Sequence, residues 1–301
     1  MAFEQRFYTC NGLRIHAMEA GRGAAGEERP VMVMLHGFPE YWAAWASVAE
    51  RLSKRFHTIL PDQRGFNLSD KPAQKEAYDT KHLVADMLAL IDQVSPDRPI
   101  ILCGHDWGAS VAYALAMRHA ERVSHLIIAN GVHPMCFQKA LFAGGPQTHA
   151  SQYMNVLRAK GSEAHLSANR FEKLLRMLEK FSQTDWMDEA TRDAYRAAWG
   201  QEGAMSAMLN WYRGSPMVVP ESGSPPKAFD ITEEMQARFR LTMPHLLLWG
   251  NADTALLMEA REDLPLFCDD LTVRENEQAS HWILHEDPSW AAHEIVTFLD
   301  R

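Results

Sequence analysis

The sequence predicts an α/β fold: a mostly parallel sheet with helices on both faces and a helical segment inserted into it. Three observations carry this. Through the first third of the chain, short apolar runs alternate with stretches of helical periodicity. The run Pro99-Ile100-Ile101-Leu102-Cys103 passes through Gly104-His105-Asp106-Trp107-Gly108 directly into the helix-patterned Ala109-Ser110-Val111-Ala112-Tyr113-Ala114-Leu115-Ala116, a strand that turns sharply into a helix. From residue 134 to about 229 strand patterns are scarce, and alternation resumes at residue 245.

Taken in order, residues 7–19 read as a hairpin turning at Asn11-Gly12. Residues 31–35 are continuously apolar, as expected of a strand buried on both faces. Helical spacing covers 41–52, and 57–60 is another strand. Residues 81–94 form a helix whose apolar face is Leu83, Met87, Leu88, Leu90 and Ile91. The elbow strand and helix follow, then a strand at 126–129. In the insertion, 163–181 and 188–199 are helical, Arg192, Asp193 and Arg196 marking a solvated face, and the Pro/Ser/Gly-rich stretch 216–226 is a loop. Strands at 245–249 and 271–274 and a helix over 288–299 complete the chain. The division is therefore a core at 1–132, a helical cap at 133–230 and the rest of the core at 231–301.

Composition narrows the function. Lys and Arg total 30 against 39 Asp and Glu, a net charge of −9 that argues against nucleic acid or an anionic membrane as partner. No apolar run approaches the roughly 20 residues of a transmembrane helix. The first residues lack the apolar core of a secretory signal, so a cytoplasmic, reduced location is expected. Cys10, Cys103, Cys136 and Cys268 are scattered with no C-x-x-C pair, so no metal site is expected, and no cofactor box is found; the 16 methionines read as adaptable core, with Met154, Met205 and Met208 as possible borders of a pocket.

The chemistry centres on Asp106. At the middle of such an elbow Ser is usual; a carboxylate there attacks a saturated carbon and leaves an alkyl ester on the protein. An elbow fold takes one oxyanion-hole N–H from the residue after the nucleophile, here Trp107, and another from a loop after an early strand, where Phe38 of His36-Gly37-Phe38-Pro39 stands. Pro39 fixes that loop, and a cis Phe38–Pro39 bond fits the turn. Asp253, in Trp249-Gly250-Asn251-Ala252-Asp253, follows a strand on the ligand side of a parallel sheet. His281, in Ala279-Ser280-His281-Trp282, precedes the last helix. The order nucleophile, acid, histidine suits the fold. An ionised Asp106 needs no base, so His281 serves the second step, activating the water that cleaves the ester, with Asp253 orienting the imidazole. His36, Pro39, Trp107 and Trp282 are placed at the substrate pocket, His36 and His105 also packing their turns, and His285 is expected at the surface where the last helices begin.

With Asp62-Gln63-Arg64-Gly65 added, these five motifs in this order resemble the α/β-hydrolase superfamily, in the branch holding epoxide hydrolases and haloalkane dehalogenases, over nearly the whole length. The resemblance implies an α/β-hydrolase fold, no cofactor, and a small apolar substrate. Within the branch, epoxide hydrolases use two cap tyrosines to hold the ring oxygen. Leu209-Asn210-Trp211-Tyr212-Arg213 resembles the second tyrosine motif and points to Tyr212; Ser151-Gln152-Tyr153-Met154 resembles the first and points to Tyr153. Haloalkane dehalogenases commonly carry Asn where this chain has Phe38, and fluoroacetate dehalogenases carry arginines where it has Trp107 and Ser110. An epoxide hydrolase is therefore the expected activity, a dehalogenase the second, and a ligand-binding homologue without turnover the third; monomer and homodimer are both open. Two departures from the branch stand out: Asn67, where Gly is usual, and Ser280, where Gly is common before the histidine.

Overall fold

A computed structural model describes residues 3–24 and 27–301. Strands β1 (Glu4–Cys10), β2 (Leu13–Ala20), β3 (Val31–Leu35), β4 (His57–Pro61), β5 (Ile100–His105), β6 (Val123–Ala129), β7 (His245–Gly250) and β8 (Leu271–Asn276) form one sheet in the order β1-β2-β4-β3-β5-β6-β7-β8. Only β2 runs against the others: it pairs antiparallel with β1 and β4, and every other pairing is parallel. The hairpin turns at Asn11 and Gly12, both at positive φ, as Asn-Gly permits.

Helices flank the sheet. In chain order the first are α1 (Ala46–Leu52), α2 (Thr80–Val94) and α3 (Trp107–Arg118). Between β6 and β7 come α4 (Pro134–Phe142), α5 (Pro146–Ala150), α6 (Gln152–Arg158), α7 (Ser162–Lys180), α8 (Glu189–Trp199), α9 (Ala204–Gly214) and α10 (Glu233–Arg238). The chain closes with α11 (Ile283–Glu286) and α12 (Pro288–Leu299). Strand side chains alternate faces: Val33 and Leu35 join a core with α2 and α3, while Met32 and Met34 join a second core with α1 and α12. Each fully buried aliphatic side chain contributes about 1.5–3 kcal/mol, and a sheet buried on both faces needs the continuous apolar runs the sequence shows.

Three expectations need correction. The helix expected over 41–52 begins as a 3-10 turn, Trp42–Trp45, in which Trp45 Nε1 donates to the Leu35 carbonyl at 3.0 Å. The helix expected over 163–181 is broken: Ala168 is extended, and Asn169, Arg170 and Phe171 have φ of 51, 56 and 62°. The strand-poor segment also carries short helices that its sequence pattern did not mark, α5 and α6 among them.

The segment between β6 and β7 sits over the C-terminal ends of the strands, as its hydrogen bonds show. Trp199 Nε1 donates to the Pro39 carbonyl (2.5 Å), Trp211 Nε1 to the Arg64 carbonyl (3.0 Å) and Gln147 Nε2 to the Ala255 carbonyl (2.9 Å), all in loops that follow strands. Below it, Arg64 makes a two-pronged ion pair with Asp86 of α2, both contacts 2.6 Å and both groups buried. Asp62 accepts from His16 Nδ1 (2.6 Å), the Trp42 N–H (2.9 Å) and Asn67 Nδ2 (2.8 Å). Asn67 has φ of 39°, a conformation Asn tolerates better than most residues, so this departure from glycine keeps the turn and adds a hydrogen bond. Among the described residues no helix is long and apolar enough to cross a membrane.

Candidate active site

The elbow sets Asp106 at φ 51°, ψ −118°, between the end of β5 and the first residue of α3. Such a conformation is strained for a residue with a Cβ and persists where its surroundings enforce it. The glycines on either side explain the spacing. A Cβ on Gly104 would lie 2.7 Å from the Gly108 carbonyl oxygen, and one on Gly108 would lie 2.2 Å from the Leu35 carbonyl oxygen. One on Gly37 would lie 2.2 Å from Asp106 Oδ1, so that loop can approach the carboxylate only without a side chain. The Phe38 N–H uses this space and donates to Oδ1 at 2.7 Å; the Phe38–Pro39 bond is cis. Trp107 opens α3, so its N–H has no carbonyl of its own helix to bond and is free for a charge at the elbow.

His281 lies between two carboxylates. Its Nδ1 is 2.8 Å from Asp253 Oδ2, and its Nε2 is 3.7 Å from Asp106 Oδ2, a charge contact longer than a hydrogen bond. Burial works to lower the imidazole pKa, but Asp253 and then Asp106 outweigh it and push it up to about 10. Burial likewise works to raise the Asp253 carboxyl. His281, the Leu256 N–H and Asn130 outweigh that and hold it below its ordinary value. Asp253 is fully engaged: Oδ1 accepts from the N–H groups of Ala255 (2.7 Å) and Leu256 (2.9 Å), and Oδ2 also accepts from Asn130 Nδ2 (2.7 Å). Asn130 in turn accepts the Gly250 N–H at 2.8 Å.

The two cap tyrosines complete the enclosure. Tyr153 of α6 and Tyr212 of α9 face each other edge-on, ring centroids 6.4 Å apart. Tyr212 also meets Phe38 (5.1 Å) and Trp107 (5.0 Å) edge-on. Burial, followed by the nearby Asp106 charge, keeps the Tyr153 phenol well above its ordinary pKa; Tyr212 is raised by burial, then by Tyr153 and Asp106. Both phenols are therefore protonated donors at neutral pH. Asp106, Tyr153 and Tyr212 line two cavities at once. The larger runs past Trp107, Ser110, Phe137 and Met154; the smaller runs past Phe38, Phe181, His281 and Trp282. Asp106 and the two phenols stand where the two arms meet.

Not every expected residue reaches this space. His36 is fully buried behind it: Nε2 accepts the Gln63 N–H (3.1 Å), Nδ1 donates to the Gly37 carbonyl (2.9 Å), and the ring meets Phe66. Pro39 presents its carbonyl to Trp199, away from both arms. Both shape the loop of Phe38 without lining the site. Of the three methionines, Met154 borders it, whereas Met205 and Met208 are buried elsewhere. His285, expected at the surface, is largely buried: Nε2 meets Glu40 Oε1 at 2.5 Å and the ring stacks on Trp186 at 3.9 Å. Glu40 also accepts from Tyr195 (2.8 Å), and its Oε2 lies 3.3 Å from His105 Nδ1. His105 Nε2 donates to the His281 carbonyl at 2.8 Å. Asn130 and Glu40 were missed by sequence reasoning; the Asn-Gly pair just past β6 is the only local mark of the first, and position next to Pro39 the only mark of the second.

The alpha/beta hydrolase fold family matches residues 30–288. The chain belongs to the α/β hydrolases. It is 32% identical to the AB hydrolase superfamily protein YfhM of Bacillus subtilis, over 98% of this chain and 97% of that one. It is 28% identical to epoxide hydrolase 1 of Caenorhabditis elegans, over 99% of this chain and 71% of that one. Among solved structures, it superposes on one of the novel epoxide hydrolases found in metagenomes from hot environments, with a TM-score of 0.87, 32% identity and 99% coverage of both chains. An epoxide hydrolase from Bacillus megaterium, solved in complex with an inhibitor, gives a TM-score of 0.86 at 28% identity, over 98% of this chain and 100% of that one. The eight-stranded, mostly parallel sheet of this α/β hydrolase thus agrees with the fold its sequence predicts.

Proposed function

We propose that this α/β hydrolase is an epoxide hydrolase acting on small apolar epoxides through an ester on Asp106. One observation carries the reading: a carboxylate on the elbow shares a cavity with two protonated phenols, Tyr212 buried and Tyr153 partly buried, beside a histidine paired with a second carboxylate. The relatives named epoxide hydrolases support it. Tyr153 and Tyr212 hydrogen-bond the ring oxygen. An Asp106 oxygen attacks a ring carbon, the C–O bond breaks, and a phenol proton passes to the alkoxide. Alkylation removes the Asp106 charge, one of the two carboxylates that hold the proton on His281. The His281 proton, less firmly held, passes to the tyrosinate left by ring opening, and the neutral imidazole then takes a proton from water, whose hydroxide adds to the ester carbonyl. The N–H groups of Phe38 and Trp107 stabilise the oxyanion, each by about 3 kcal/mol. Collapse expels the diol alkoxide, which takes a proton from His281, and the carboxylic acid left on Asp106 passes its proton to the imidazole, restoring the starting charges. The four cysteines, none in a disulfide, fit a reducing, cytoplasmic location.

The test separates the two half-reactions. His281→Gln keeps the nucleophile and removes the base. Intact-mass measurement after exposure to styrene oxide should show the protein heavier by one substrate, with the adduct on the Asp106 peptide. In the wild type, a single turnover in ¹⁸O-water should place an unlabelled, enzyme-derived oxygen in the diol. Full solvent labelling in that first turnover would rule out the ester, and halide release from haloalkanes without diol formation from any epoxide would replace the assignment with a dehalogenase.

A further inference from the structure

Ser280 replaces the glycine common before the histidine, and the catalytic scheme does not use it. It is fully buried. Its Oγ lies 2.5 Å from the Phe181 carbonyl oxygen and 2.8 Å from Glu286 Oε1. The Glu286 carboxylate also accepts the Ser280 N–H and the Gln183 N–H, each at 2.6 Å. Phe181 and Gln183 belong to the cap, whereas Ser280 and Glu286 flank His281 in the core. One hydroxyl and one carboxylate thus gather the end of α7 onto the loop that carries the histidine. A hydroxyl has a single proton to donate, and the Phe181 carbonyl is the nearer acceptor. That carbonyl lies at the C-terminal end of α7, where helical carbonyls have no partner within the helix.

What Phe181 does gives this contact its meaning. Its ring helps line the smaller arm of the site with Met177, Tyr153 and His281, and lies 6.2 Å from the Tyr153 ring. We propose that Ser280 is a selectivity-determining positioning residue: by holding the Phe181 carbonyl it pins the aromatic wall of the smaller arm against His281 and limits which epoxide substituents enter there. The proposal rests on the epoxide hydrolase reading for its substrates, though not for the contact itself. A glycine at this position supplies no hydroxyl. The Phe181 carbonyl would then lose its donor, and the wall would be free to shift outward.

The test compares trans-stilbene oxide, which carries an aryl group on each ring carbon, with styrene oxide, which carries only one. In Ser280→Ala the ratio of kcat/KM for stilbene oxide over styrene oxide should rise about fivefold or more, the scale of one lost hydrogen bond. Ser280→Thr, which keeps the hydroxyl, should return the ratio toward wild type. A purely structural role would lower both substrates together and leave the ratio where it was, which would overturn the proposal. Hydrogen exchange gives a readout free of turnover: the amides of residues 182–186 should exchange faster in Ser280→Ala and at the wild-type rate in Ser280→Thr. Unchanged exchange in Ser280→Ala would refute the tether. If wild type opens neither epoxide, the activity assignment fails, and the exchange experiment alone decides whether the tether exists.

Discussion

Tyr212 shows most sharply how one side chain can separate two chemistries. An epoxide oxygen stays attached to the substrate as it leaves and needs a proton; a departing halide does not. Tyr212 is buried, protonated, and fixed edge-on between Phe38 and Trp107, so Tyr212→Phe removes an O–H and little else. A hydrogen bond to a developing alkoxide contributes roughly 1.5–3 kcal/mol. The variant should alkylate on styrene oxide about tenfold slower or more, measured by stopped-flow quenching of tryptophan fluorescence, with Trp107 beside the ring as a reporter. Wild-type alkylation rates in both Tyr212→Phe and Tyr153→Phe would take the phenols out of the reaction. At this scale the sequence was informative wherever a residue sits inside a local motif, as Asp106, Phe38 and His281 do. It was silent where the partner is remote. Asn130 meets Asp253 across 123 residues, and Glu286 meets Gln183 across 103; neither pairing leaves a local pattern.

The loop after β3 and the elbow after β5 act as a matched pair of elements. Two parallel strands, paired Met32 to Ile101 and Leu35 to Gly104, bring both loops to the same end of the sheet. Gly37 is the contact point, because any Cβ there would meet the Asp106 carboxylate at 2.2 Å. Gly37→Ala should therefore push Asp106 aside and pull Phe38 N–H from its 2.7 Å contact, while the folded strands remain. A displacement of about 1 Å at a reacting group costs roughly a hundredfold in rate. We expect the alkylation rate to fall by about that factor, with the far-UV circular dichroism spectrum unchanged; near-wild-type alkylation would show that the loop yields instead. Strands and the long helices were legible because buried runs and 3.6-residue periodicity are local properties of the chain. The break in α7 was not, since Ser162–Lys180 keeps a helical apolar pattern on both sides of Ala168. At the break Phe171 meets Trp199 edge-on at 5.9 Å, a contact 28 residues away in sequence that leaves no local pattern.

At the scale of the whole molecule, folding itself assembles the charge arrangement that the reaction uses. His281 is enclosed by the loops after β5, β7 and β8 and by the cap, with Asp253 on one side and Asp106 on the other. In the unfolded chain a histidine titrates near 6.5; in the folded protein the two carboxylates push His281 up to about 10 against the opposing effect of burial. The folded state therefore binds more protons between those values. The stabilisation from this imidazolium is fully present below about pH 6.5 and is lost as pH rises through about 10. His281→Gln cannot titrate, so the difference in unfolding free energy between wild type and variant isolates this group from the tyrosines, lysines and cysteines that also titrate in alkali. Urea midpoints should place wild type furthest above the variant near pH 6, with the gap narrowing steadily and largely gone by about pH 10.5. A gap that stays constant, or widens with pH, would mean that the free enzyme holds its histidine neutral. In the proposed mechanism the same proton keeps His281 from acting as a base before the ester has formed. While Asp106 is ionised it helps keep His281 protonated; in the proposed mechanism, only an alkylated Asp106, stripped of its charge, releases the imidazole to activate water.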